Sequence, residues 1–235
     1  MSGLRPRRPN LAFERRLAAS RTVSIAGLDE VGRGALAGPL VAAAVILPIE
    51  RKGLRRALDG VRDSKELTDA QRRAWADQVR QVSLDYGLGL ATSVEVDAIG
   101  PVAATLLAME RALSALSLPP EHLLLDHVAL PNVPVPQTSI THGDAIVLSI
   151  AAASILAKVW RDDLMLIYDR TYPGYGFAHN KGYGTTEHVD ALSRLGPCPL
   201  HRLTFHPTAV SAHGEDVPLP GDSPAVSTDQ LILSG

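Results

Sequence analysis

The chain of 235 residues has a single cysteine, 4% aromatic residues, no apolar run of membrane-spanning length and no excess of positive charge. One cysteine, Cys198, excludes a disulfide framework and a zinc site built from repeated cysteines, and it suits a reducing compartment. No stretch approaches the ~18 apolar residues of a membrane span and no charged-then-apolar leader opens the chain, which points to a soluble, cytoplasmic protein without membrane contact. With 23 Lys and Arg against 25 Asp and Glu, the formal net charge is -2. A surface that tracks phosphate ordinarily carries a basic excess, so bulk charge speaks against a nucleic-acid partner. What is plentiful is apolar material, 46% of the residues, enough for the core of one large domain or two small ones.

The charge is unevenly distributed. Residues 1–21 hold six Arg and one acid, and residues 208–235 hold four acids with no Lys or Arg. Between them, residues 22–207 carry 17 basic and 20 acidic residues, a net of -3. The first segment reads as a basic N-terminal arm, solvated or set near phosphate, and the last, rich in Pro and Ser, as a disordered acidic tail. The domain proper is therefore expected over 22–207.

Along that domain, strands and helices alternate. Thr22 to Leu28 reads as a strand broken by Asp29-Glu30 and Gly32-Arg33-Gly34, and Leu40 to Leu47 as a second strand closed by Pro48. Thr68 is placed to cap a helix over 69–82. A third strand is expected over 86–92, and Pro101 opens a helix through Leu116. Short strands at 122–125 and 137–141 end on Asp126 and on His142-Gly143-Asp144. An alanine-rich helix is predicted from Ala145 to Tyr168, and a short one near 186–195. The class is α/β.

Three of the five expected strands end on acids: Asp29 with Glu30, Asp126, and Asp144. In an open α/β sheet, ligands gather beyond strand ends, so these carboxylates can converge. Convergent acids repel one another unless cations intervene, and oxygen ligands without cysteine suit Mg²⁺ or Mn²⁺. Two such ions about 3.5–4 Å apart are a known device for phosphodiester cleavage. The plainer reading is that each acid is a turn former or helix cap, above all Asp144, which directly precedes the long helix. Asp29 and Glu30, as strand neighbours, would face opposite ways unless the strand has ended or bulged there.

Taken in order, Asp29-Glu30-Val31-Gly32-Arg33-Gly34, Gly38-Pro39-Leu40-Val41, Asp63-Ser64-Lys65, Leu124-Leu125-Asp126, Gly143-Asp144, the run 152–159 followed by Arg161-Asp162, and Lys181-Gly182-Tyr183-Gly184-Thr185 resemble bacterial ribonuclease HII, over residues 23–207. The resemblance implies a ribonuclease H-like fold, a mixed central sheet flanked by helices with a C-terminal helical extension, in a monomer. It implies Asp29, Glu30, Asp126 and Asp144 as catalytic metal ligands for Mn²⁺ or Mg²⁺. The activity it implies is hydrolysis 5′ to ribonucleotides in RNA-DNA hybrids and in ribonucleotide-containing duplex DNA, leaving 3′-hydroxyl and 5′-phosphate ends. Gly32, Arg33, Gly34 and Tyr183 would meet the ribonucleotide and its junction with DNA, and Ser64 and Lys65 a phosphate. Two divalent ions would carry the core from -3 to about +1. A hybrid-binding module without activity and a DNA nuclease of the same fold are the competing readings.

Four positions depart from the family pattern: His127 in place of glycine, His142 in place of lysine, Asn180 in place of histidine and Thr204 in place of serine. The first two adjoin the expected ligands and imply a shifted metal preference or pH dependence. Lys158 and Arg161 read equally as supports for acids or phosphates and as a surface face, and Asp162 as a supporting acid or an exposed one. Cys198, His201, His188 and His206 are too few and too irregular for structural zinc, so packing or exposure is expected of them.

Overall fold

The computed structural model describes residues 8–19 and 24–208. Strands β1 (Ile25–Val31), β2 (Leu40–Ile46), β3 (Asp85–Ala91), β4 (His122–Asp126) and β5 (Gln137–Ile140) form one sheet in the order β3-β2-β1-β4-β5. β1 and β3 are antiparallel to β2, whereas β4 runs parallel to β1 and β5 parallel to β4. The described helices are α1 (Ala12–Ala18), α2 (Leu54–Ala57), α3 (Asp69–Val82), α4 (Ser93–Ser114), α5 (Leu148–Thr171), α6 (Phe177–Asn180) and α7 (Thr186–Leu195). None of them is long and apolar enough to cross a membrane.

β2 is apolar throughout because helices cover both its faces. Val41, Ala43 and Val45 pack with residues of α3 and α5, while Leu40, Ala42, Ala44 and Ile46 pack with Ala104, Ala108, Met109 and Ala112 of α4. The layers lie very close. A Cβ on Gly27 would collide with the backbone of Ser149 in α5, and one on Gly87 or Gly89 with carbonyls of Ala112 or Ala108 in α4. This proximity sets α5 directly behind the carboxyl end of β1.

Helix α3 occupies the expected range, closed by a reciprocal capping box between Thr68 and Gln71. Helix α4 starts earlier than Pro101. Its first turns, capped by Thr92 with Glu95, run to a break at Gly100 (φ 80°, ψ 158°), and Pro101 then opens the second part. β1 ends later than expected, and the long helix starts three residues later, at Leu148.

The stretch 1–21, expected as an arm, is in part built into the domain. Leu11 is buried, and Phe13, Leu17 and Ala18 pack on the core. Asn10 and Leu148 share a backbone bond at 3.0 Å, and Glu14, fully buried, accepts the Ser149 N–H at 3.0 Å. The N-cap of α5, Val147, has no capping side chain, so Glu14 satisfies a first-turn N–H of that helix from another element. Burial raises the Glu14 carboxyl above its ordinary range, with the Ser149 bonds opposing. The rest of the arm and the tail at 209–235 lie outside the described residues.

Candidate active site

Asp29 and Glu30 are regular strand residues, paired with Ala43 and Ala42 of β2, so the strand neither ends nor bulges before them; at this end of the sheet both carboxylates nonetheless lie within the field of Asp126. On the other edge the parallel ladder to β4 stops at Leu28–Leu125, leaving both acids beyond the last paired residue. Asp126, the last residue of β4, is next in that register. Its Oδ1 accepts the Gly143 N–H at 2.7 Å, which fastens the turn carrying Asp144 to the end of β4. A Cβ on Gly143 would stand 2.7 Å from Ile150 Cδ1, so a larger residue in this turn would push the tip of that side chain aside. Asp144 lies buried in a single 3₁₀ turn, Gly143–Ala145, and does not cap α5.

Electrostatics join these positions into one site. Burial holds the Asp29 carboxyl well above the usual range, and the charges of Glu30, Asp126 and Asp144 push the same way against a Ser154 hydrogen bond. Burial likewise raises Asp144, reinforced by Asp63 and Asp126. Glu30 is raised by burial despite Arg33. The Lys65 ammonium is opposed by burial, yet Asp63, Asp144, Asp29 and Asp126 together raise it. Lys65 therefore sits within the field of all four expected acids. Among the described residues no three His, Cys, Asp or Glu side chains already form a ligand cage. The donor set nonetheless fits a hard divalent ion: carboxylate oxygens, no sulfur, and excess negative charge at a buried position.

The Ser64 hydroxyl points inward. It lies 3.2 Å from Ser154 Oγ. Either hydroxyl can donate to the other, and Ser154 in turn favours the charged form of Asp29. Ser64 thus supports Asp29 from behind, where an exposed phosphate contact was expected, and Ser154 is a site residue that the sequence did not single out.

Two buried arginines shape the Gly32-Arg33-Gly34 loop. Arg161, expected on a surface face or beside acids, is 0% exposed and donates to the carbonyls of Pro39 (2.9 Å), Ala37 (3.1 Å) and Lys181 (2.8 Å). Arg202, also 0% exposed, donates to Gly38 (3.0 Å) and Arg33 (2.9 Å). Burial lowers both guanidiniums, Arg202 to about 10. Gly32 has φ 88°, and a Cβ there would run into the Arg161 guanidinium. Gly34 has open space beside it and Arg33 is exposed, so this loop can meet a ligand closely. Gly182 O accepts the N–H groups of Leu36 (2.8 Å) and Ala37 (3.1 Å), which places Tyr183 next to the loop. The half-buried Tyr183 ring lies 5.2 Å from Arg161 Cζ and 5.9 Å from Lys158 Nζ. Lys158 pairs with buried Asp162 at 2.6 Å, which makes Asp162 a supporting acid.

His127 and His142 are exposed, with left-handed backbones at φ 57° and 56°, which accounts physically for a family preference for glycine at the first. Asn180 is buried and bonds to Tyr175 O and Gly182 N. The expectation of packing for Cys198, His188 and His201 agrees with their burial in one small cluster. A groove lined by Arg15, Arg51, Lys52 and Arg55 lies toward the opposite end of the sheet, where β2 ends beside the start of β1.

A mixed sheet in this order, helices on both faces and acids at the ends of β1 and β4 define a ribonuclease H-like α/β enzyme. The fold matches the ribonuclease H2 of Pyrococcus horikoshii OT3 at a TM-score of 0.66 and 26% identity, covering 80% of this chain and 97% of that one. It also matches Bst-RNase HIII, solved in complex with Mn²⁺, at a TM-score of 0.64 and 21% identity, covering 83% and 71%. The family model described as ribonuclease HII matches residues 26–208. The ribonuclease HII of Moorella thermoacetica is 53% identical over 194 residues, 83% of this chain and 92% of that protein. The chain belongs to the ribonuclease HII family, and its activity is that of a ribonuclease HII endoribonuclease.

Proposed function

We propose that the chain cuts the phosphodiester on the 5′ side of a ribonucleotide, in RNA-DNA hybrids and at ribonucleotides embedded in duplex DNA, with Asp29, Glu30, Asp126 and Asp144 holding divalent ions. The observation that carries this reading is the buried Asp29 carboxyl, raised by desolvation and by three neighbouring acids drawn from its own strand, from β4 and from the Gly143 turn. A buried cluster of like charges is costly without a cation, so its natural complement is a hard metal. Mn²⁺, the ion held by Bst-RNase HIII, and Mg²⁺ both suit all-oxygen ligands. When bound, such ions supply positive charge against the reacting phosphate and lower the pKa of water.

The chain's own groups provide the rest. Ser64 and Ser154 orient Asp29 from behind. Lys65, at the rim of the acids, supplies a point charge for a substrate phosphate. Arg202, through the Arg33 carbonyl, holds the Gly32–Gly34 backbone where its amides and carbonyls can meet a 2′-hydroxyl, the group that distinguishes ribose, and Arg161 holds Ala37 and Pro39 just beyond it. Tyr183 stands beside that loop as a flat platform for the adjoining sugar. Exposed His127 and His142 flank the acids and tune metal preference.

The test is Mn²⁺ binding by calorimetry for the wild type and for Asp29→Asn, Glu30→Gln, Asp126→Asn and Asp144→Asn, alongside cleavage rates. Each variant is expected to bind Mn²⁺ more weakly and to lose about a thousandfold or more in rate, since a ligand contributes several kcal/mol at the reacting centre. Wild-type binding in all four variants would refute the site.

A further inference from the structure

Beside the Tyr183 loop, two histidines are buried in a small cluster that includes Ala37, Met165, Tyr175, Phe177 and Cys198. His188 is 0% and His201 2% exposed. An imidazole in such a place must match one donor and one acceptor to its surroundings, because an unmatched buried polar group costs about 1–3 kcal/mol. Here the match is complete and runs in one direction. At one end, His188 Nδ1 lies 2.9 Å from Tyr183 O, an atom that only accepts, so His188 carries its proton on Nδ1. Its Nε2 is then an acceptor, 3.1 Å from His201 Nε2, which must donate. At the other end, the Cys198 N–H, which only donates, lies 3.0 Å from His201 Nδ1, with Cys198 Sγ at 3.2 Å and Cys198 O at 3.3 Å, the carbonyl already accepting the His201 backbone N–H at 2.9 Å. The Tyr183 end therefore sets both tautomers, and the Cys198 N–H, the shortest contact of His201 Nδ1, accords with them.

The rings are held firmly. His201 stacks at a tilt on Tyr175 (4.9 Å between centroids), and Phe177 meets His188 edge-on (5.4 Å). Burial lowers the pKa of both histidines, His201 to about 4, which keeps each ring at one proton. His201 also bridges to Ala37, whose N–H is bonded to Gly182 O, and the next residue, Arg202, donates to Arg33 O. The relay therefore joins the backbone of Tyr183 to the segment that supports the Gly32–Gly34 loop.

We propose that His188, with its tautomer set by His201, is a positioning residue that fixes the Tyr183 carbonyl and hence the ring over Arg161 and Lys158, so that it governs preference for a single embedded ribonucleotide over a continuous hybrid. This rests on the reading of Tyr183 as the group at the RNA-DNA junction. Tyr183→Ala tests that reading alone, whereas nitrogen-15 NMR of the imidazoles tests the relay without reference to substrate.

At pH 7 the NMR experiment should find His188 protonated on Nδ1 and His201 on Nε2; any other pair of tautomers overturns the relay. In cleavage assays with Mn²⁺, His188→Leu should lower the ratio of single-ribonucleotide to hybrid cleavage about fivefold to tenfold, the effect of one hydrogen bond. His188→Asn, whose amide can return a donor near the Nδ1 position, should restore most of the ratio. In a Tyr183→Ala background, His188→Leu should leave the ratio unchanged. Equal losses on both substrates in proportion to a fall in melting temperature would overturn the proposal. So would a Tyr183→Ala variant with the wild-type ratio, which removes the junction role on which it rests.

Discussion

Replacing Asp29 by Asn separates the acid's cost to the fold from its use in the site. Asn keeps the shape and keeps an acceptor for Ser154 Oγ and for the Glu30 N–H, which now bonds to Asp29 Oδ1 at 2.8 Å. What it removes is a buried charge disfavoured by desolvation and by Glu30, Asp126 and Asp144. Relief of such a charge is worth about 0.5–2 kcal/mol, and at this chain length each kcal/mol moves the melting temperature by roughly 2–4 °C. The sign with pH is fixed by the raised folded-state pKa. Wild-type stability from this group is fully present below the ordinary carboxylate range and is lost as pH rises through the folded value. In EDTA the variant should therefore melt above the wild type at pH 8, by an amount that shrinks as pH falls toward 4. Saturating Mn²⁺ reverses the order: at a hundred times Kd an ion adds about 2.7 kcal/mol to the wild type, and the variant loses most of that gain. Thermal melting from pH 4 to 8, with EDTA and with Mn²⁺, reads all of this. A variant less stable than the wild type in EDTA at pH 8 would refute the reasoning.

Glu14→Ala strands the buried Ser149 N–H and should cost about 1–3 kcal/mol by denaturant melting, whereas Glu14→Gln keeps the acceptor, removes a charge disfavoured by burial and should be neutral or stabilising; equal losses would show that the charge itself is needed. Gly32→Ala must place a side chain at φ 88° and into Arg161, so a loss of roughly 2 kcal/mol or more in stability and a marked fall in cleavage are expected; a wild-type melting curve would contradict the packing. His127→Gly relieves a left-handed backbone and should raise stability by about 1 kcal/mol. With His142→Lys added it should shift the Mn²⁺ concentration giving half-maximal rate, and an unchanged titration would remove both histidines from metal selection.

Features with a local chemical cause were legible in the sequence. Thr68 as a cap marked α3, and the apolar run 40–47 marked β2. The same kind of signal, Thr92 with Glu95, marked the first turns of α4, but Gly100-Pro101 drew the boundary to the second part. Asp29-Glu30 read as a strand end because acids and nearby glycines favour turns; pairing with Ala42 and Ala43 overrides that preference. In residues 1–21, six arginines outweighed Leu11, Phe13 and Leu17, whose burial depends on α5, more than a hundred residues away in the chain. Arg202 had no local signature at all, and Arg161 read as well for a surface face as for a support. Their partners are carbonyls from segments remote in sequence, and a guanidinium is ordinarily exposed, so only the folded chain reveals them as supports of the site.

The central claim is selective cleavage at ribose by a carboxylate-held divalent ion. Its most direct test is the end-mapped product from a labelled DNA duplex containing one ribonucleotide, incubated with the protein in Mn²⁺, in EDTA, and beside an all-DNA control. The account predicts one metal-dependent cut on the 5′ side of the ribonucleotide, leaving a 3′-hydroxyl and a 5′-phosphate, and an intact control. No cut with Mn²⁺, or equal cutting of the all-DNA duplex, would contradict it.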